Sequence, residues 1–107
     1  MPSKHYTIWL NESTYIVVDF ESVQGEITSF VVRLGHIRDG LDRDVARYDT
    51  SHGRPHRDVV LPAGRLWQKT WMGESEFDNA MTLAINDFKR NHEEYCLAQI
   101  EKRLPRV

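Results

Sequence analysis

The feature that most constrains this chain is a change of hydrophobic period about two-thirds of the way along it. Up to Met72 the apolar residues recur every second position; from Phe77 they recur every three or four. Alternation with β-branched and aromatic residues is the signature of half-buried strands. It predicts strands at Tyr6–Leu10, Tyr15–Phe20, Ile27–Leu34, Val45–Asp49, His56–Leu61 and Leu66–Met72. A loop of turn formers is expected over Gly35–Gly40. Links this short make neighbours in sequence neighbours in the sheet, which is a meander.

After Met72, Phe77, Met81, Ala84, Phe88 and Tyr95 form the stripe of an amphipathic helix. Ser75 suits its N-cap, acidic Glu76 and Asp78 its first turn, Lys102 and Arg103 its negative pole, and Pro105 its stop. The expectation is α+β: an antiparallel β-meander of five to six strands with one long C-terminal helix packed on one face. The whole chain, 1–107, is read as a single domain, with strands from about 6 to 72 and the helix from about 76 to 104.

That helix would be about 43 Å long, against about 20 Å for six-residue strands. It must therefore break near Asn91-His92 or run past the sheet. In the second case Tyr95, Leu97 and Ile100 call for a cover, which a second copy or another protein partner would supply. Of these, a homodimer through the C-terminal helix is the expectation.

Composition narrows the setting. The chain has 107 residues and a net charge of -2, with a single Cys96 that cannot form an internal disulfide. No apolar run approaches the roughly 20 residues that cross a bilayer. MPSKHYTIWLNEST lacks the apolar segment of a secretory signal. A cytoplasmic protein without membrane association is expected. Charge is unevenly placed: residues 33–69 hold eight basic against five acidic groups, and the rest holds six against eleven. A basic centre of this kind suits an anionic partner.

Within that centre lies RYDTSHGRPHRD, Arg47 to Asp58, which joins the fourth and fifth strands. Asp49-Thr50 suits an Asx turn, Gly53 a positive φ, and Pro55 a rigid exit. Hairpin pairing then brings residues near Asp49 opposite residues near His56 and lets Asp49, His52, His56 and Asp58 converge. By alternation Arg57 falls with Val59 and Leu61, an uneasy place for a cation.

Three readings of this block stand open. In the first, His52 and His56 act as general base and acid on an RNA phosphodiester. Asp49 orients an imidazole there, while Arg47, Arg54, Arg57 and Tyr48 hold the substrate. In the second, His52, His56 and Asp58 bind a divalent metal, the sole cofactor envisaged. In the third, these groups bond to one another and to the main chain, and the turn is structural. Trp67 and Trp71, with Lys69 between them, have the makings of a base-stacking surface; packing against the helix is the expectation here.

The block R-Y-D-T-S-H-G-x-P-H-R-D, followed by one long helix, resembles a family of small uncharacterised prokaryotic proteins. It is more distantly similar to the TumE-like toxins of toxin–antitoxin systems, which carry a Tyr-Asp-Asn block followed by histidines. Tyr48, Asp49, His52 and His56 map onto that motif, and Thr50 stands where the toxins have Asn. The resemblance implies a growth-inhibiting protein that acts on RNA and is neutralised by an antitoxin partner.

Overall fold

A computed structural model describes residues 2–107. It contains six strands, β1 (Ser3–Trp9), β2 (Thr14–Val23), β3 (Glu26–Arg38), β4 (Leu41–Asp49), β5 (His56–Val60) and β6 (Leu66–Trp71), followed by α1 (Phe77–Glu101). The strands are antiparallel and pair in sequence order, β1-β2-β3-β4-β5-β6. The expected meander and single helix are both present.

The expected loop at Gly35–Gly40 is instead mostly strand. A bulge between Leu34 and Gly35 shifts the register, and pairing with β4 then continues to Arg38. Only Asp39 and Gly40 turn, with φ of 55° and 73°. Two successive positive φ values make the tight reversal that matches strand twist. Gly35 has a separate reason to lack a side chain: a Cβ there would sit 2.3 Å from the Tyr15 ring, which lies over it.

Alternation splits the sheet into two faces. Ile16, Val18, Val32, Leu34, Ala46 and Val59 line the face under α1, where Ala80, Ala84 and Phe88 close the core. Small Ala80 and Ala84 let the helix approach, and Phe88 stacks 5.1 Å from Tyr48 and 5.2 Å from Tyr95. Large aliphatic and aromatic side chains buried in this way each contribute roughly 1.5–3 kcal/mol.

The helix is continuous, with no break at Asn91-His92. Its 25 residues span about 37 Å, and the 13 residues of β3 span about 43 Å. The length mismatch expected from sequence therefore vanishes, because β3 runs on past the bulge. Tyr95 is buried within its own chain, while Leu97 and Ile100 stay exposed. The N-cap position falls one residue after the expected Ser75, at Glu76, with no side-chain capping bond. It ends before the expected 104: Lys102 adopts the left-handed cap, and Arg103 turns back to pair with Glu94 at 2.6 Å.

Polar tethers fix the helix on the sheet. Gln99 Nε2 donates to the carbonyls of Asp44 at 2.9 Å and Val60 at 3.2 Å, just where the β4–β5 ladder ends. Arg57, on the helix face beside Val59, donates to the Tyr95 hydroxyl at 3.0 Å and to Gln68 at 3.3 Å. The Tyr48 hydroxyl donates to Asp87 at 2.7 Å, and the Tyr95 hydroxyl donates to the same carboxylate. A polar network under α1 thus accommodates the cation that alternation placed on the core side.

Candidate functional site

The face turned away from α1 carries the chemistry. Cross-strand register places His5, Asp19, Val31, Asp49, His56 and Trp71 in one row across all six strands. The adjacent row reads Thr7, Val17, Arg33, Arg47, Asp58 and Lys69. Side chains directly opposite in an antiparallel pair lie close enough to interact. Asp49 opposite His56 and Arg47 opposite Asp58 therefore form a two-by-two cluster of titratable groups.

The loop between β4 and β5 folds over the end of this cluster. Asp49 Oδ1 accepts the Ser51 N–H at 3.0 Å, the expected Asx turn, and the Gly53 N–H closes a turn onto the Thr50 carbonyl at 2.8 Å. Gly53 has the expected positive φ, 76°. Thr50 Oγ1 accepts the Phe30 N–H at 3.1 Å and ties the loop to β3. His56 Nδ1 meets the Arg54 carbonyl at 3.1 Å. A carbonyl only accepts, so this bond places a proton on Nδ1.

The other ring nitrogen, His56 Nε2, lies 3.0 Å from Asp49 Oδ1 and 3.6 Å from Asp58 Oδ2. Arg47 spans both carboxylates, with Nε 3.4 Å from Asp49 Oδ2 and Nη2 3.3 Å from Asp58 Oδ2. Lys69 Nζ stands 3.9 Å from Asp58 Oδ1. His56 is fully buried, and Asp49 and Asp58 are nearly so. A lid of exposed side chains covers them. The His52 ring lies 5.8 Å from that of His56, and Trp71 meets His56 edge-on at 5.3 Å. The Arg54 guanidinium sits 5.1 Å over the Trp71 ring, and Lys69 Nζ is 5.8 Å from it. Cations over an aromatic face are attracted by its quadrupole.

The structure thus brings together Arg47, Asp49, His52, Arg54, His56 and Asp58. Tyr48 and Arg57, expected among the substrate contacts, lie on the opposite face and are engaged with Asp87 and Tyr95 of α1. Alternation along β4 and β5 separates them from the cluster. His56, expected to meet a substrate, lies wholly beneath the surface, whereas His52 is exposed. The expected metal set also changes. Donor atoms of Asp49, His56 and Asp58 lie within 4.8 Å of one another, so Asp49 takes the place assigned to His52.

Trp71 does not pack on the helix; it covers His56. Its role was hidden in the sequence by the bulge between Val59 and Val60, which breaks the count from β5 to β6. Elsewhere, His5 is exposed beside Asp19, and His36 is half-buried against the Thr14 hydroxyl.

Residues 1–102 match a family described as a domain of unknown function, DUF7718. The chain belongs to the DUF7718 family. No curated protein and no solved structure matches it. The DUF7718 match takes in all six strands and the whole of α1, so both faces of the sheet belong to the domain. Beside the cluster, this DUF7718 domain holds a pocket of about 480 Å³ lined in part by Lys4, His5, Asp19, Val31 and Ser51. It lies along the His5, Asp19 and Val31 part of the same row and reaches Thr50 and Ser51 next to His52. Among the described residues, no helix is long and apolar enough to cross a membrane.

Proposed function

We propose that this protein acts on RNA as a toxin-like nuclease, binding a single strand on the open sheet face and using His52 in acid–base chemistry. One observation carries the reading: an exposed imidazole, His52, lies 5.8 Å from the ring of a buried His56 paired with Asp49, with Arg47, Arg54, Lys69 and Trp71 around it. Exposed Trp71 offers a base a stacking surface, and the cations offer phosphates their counter-charge. The adjoining pocket gives room for a further nucleotide.

Histidine suits proton transfer near neutrality. His52 would remove the proton of a ribose 2′-hydroxyl, and that oxygen would attack phosphorus. The P–O5′ bond breaks, the departing oxygen takes a proton from water, and a 2′,3′-cyclic phosphate remains. Arg54 would neutralise charge gathering on the phosphoryl oxygens. His56 and Asp49 act from beneath, holding the surface imidazole in place. The toxin role, and an antitoxin partner that relieves it, rest on the resemblance of Tyr48, Asp49, His52 and His56 to the TumE-like motif.

The test is a labelled single-stranded RNA incubated with purified protein. His52→Ala is expected to slow cleavage by about 10²–10⁴-fold with binding retained. Trp71→Ala and Arg54→Ala are expected to weaken binding. No binding and no cleavage by the folded wild type would dismiss the reading.

A second reading has its own support. Leu97, Ile100 and Leu104 are exposed towards the end of α1. A homodimer joined there is the structural alternative in which the loop does no chemistry. A sedimentation mass of one chain, unchanged in Ile100→Asp, would remove it.

A further inference from the structure

We infer that Asp49, His56 and Asp58 form a binding site for one divalent transition-metal ion, of the zinc or manganese kind, beneath the His52–Trp71 lid. The site does not depend on the RNA reading. It rests on buried donors that lack partners.

Nδ1 of His56 is committed to the Arg54 carbonyl, so Nε2 is left to present a lone pair. That nitrogen is buried and without a hydrogen-bond partner, although Asp49 Oδ1 is only 3.0 Å away. A lone pair facing carboxylate oxygens is repulsive as it stands, and a cation between them reverses the sign. Asp58 Oδ1 is likewise buried and unpartnered. With all donor atoms within 4.8 Å of one another, one ion reaches each after sub-ångström adjustment.

The surroundings resemble those of metal sites elsewhere. A ligating imidazole usually donates its other N–H to a carbonyl or carboxylate, as Nδ1 does here. Arg47 pairs with the Oδ2 atoms of Asp49 and Asp58, which orients the carboxylates; Asp58 Oδ1 is left unpartnered, and Asp49 Oδ1, which accepts the Ser51 N–H, keeps a second lone pair with which to ligate. One imidazole and two carboxylates form a mixed nitrogen and oxygen set, which suits zinc or manganese better than calcium. Arg47 and the more distant Lys69 also oppose a cation, and this sets the competing outcome: two carboxylates already neutralised, with an imidazolium in place of the ion.

The experiment uses untagged full-length protein, treated with chelator and dialysed, then titrated with ZnCl2 without RNA. Calorimetry is expected to give one ion per chain. The thermal midpoint is expected to rise by roughly 10 °C at a hundredfold excess over Kd. Both effects should vanish in His56→Gln and Asp58→Asn and persist in His52→Ala. Because the buried variants risk misfolding, the wild type is also read by long-range ¹H–¹⁵N spectra of its imidazoles. Zinc should move the His56 Nε2 resonance and leave Nδ1 protonated. The inference is overturned if zinc does not bind, if binding follows His52 instead, or if His56 shows the imidazolium pattern with and without zinc. Since RNA is absent, loss of the metal site would leave the RNA reading standing, and failure to bind RNA would leave the metal site standing.

Discussion

The Arg57 guanidinium donates to the Tyr95 hydroxyl at 3.0 Å and lies over the same ring, 5.7 Å from its centre. This contact explains how a cation is kept on the core face of β5. The Tyr95 hydroxyl in turn donates to Asp87, which also accepts from Tyr48.

Removing one hydroxyl from that chain leaves a buried donor short of its acceptor. Tyr95→Phe is therefore expected to lower unfolding free energy by about 1–3 kcal/mol, since the cost of an unsatisfied buried group exceeds the worth of an ordinary hydrogen bond. Urea titration with an unchanged m-value would check it.

Alkaline pH addresses the same network. Burial, with help from the Asp87 carboxylate, pushes the Tyr48 hydroxyl up to about 12, and burial drives Tyr95 upward as well. A pKa raised in the fold means that the folded state holds its proton more tightly than the unfolded chain. The stability is then fully present below about pH 10 and is lost as pH rises towards 12. Tyr48 alone accounts for about 3 kcal/mol of this on the two-unit difference. Chemical denaturation at pH 8, 10 and 11 should show the decline, and Tyr48→Phe should flatten it.

Gly35 and Tyr15 offer a steric test. A methyl group on Gly35 would meet the Tyr15 ring at 2.3 Å, far inside contact distance. Gly35→Ala is expected to cost about 1–3 kcal/mol. In the Tyr15→Ala background the same change should be nearly neutral. A double-mutant cycle measures the difference, and simple additivity would refute the account.

Gln99 supplies donors where β4 and β5 part. Gln99→Leu keeps the volume and strips partners from the carbonyls of Asp44 and Val60. A loss of about 2 kcal/mol or more is expected, because both carbonyls remain on the sheet. Faster amide exchange near Val45 and Leu61 would locate the damage.

Much of this architecture was readable from residue order. Period-two alternation set Ile16, Val18, Val32 and Leu34 on one face, and hairpin logic brought the neighbourhood of Asp49 opposite that of His56, where the register pairs the two residues directly. What escaped was the consequence of a bulge. Gly35, His36, Asp39 and Gly40 look like a loop by residue type, yet pairing persists to Arg38 because β4 absorbs one extra residue, Val45, opposite the Leu34/Gly35 step. From that error came the false mismatch between helix and strand lengths. A second bulge at Val59/Val60 concealed that Trp71 and Lys69 belong to the His56 cluster. The histidines themselves were visible, but not which would be buried. That depends on the loop folding back over β5, which no local propensity encodes.

Every strand in this sheet bonds to the one made just before it, so each pairing closes only a short stretch of backbone. Such closures carry little entropic penalty, and assembly can proceed as a zipper from the N-terminal hairpin onward. The helix comes last in the chain. A nascent sheet would therefore bare Val18, Val32 and Leu34 to water until Phe88 is synthesised and settles on them. The interval before α1 arrives is when this polypeptide is most exposed to self-association.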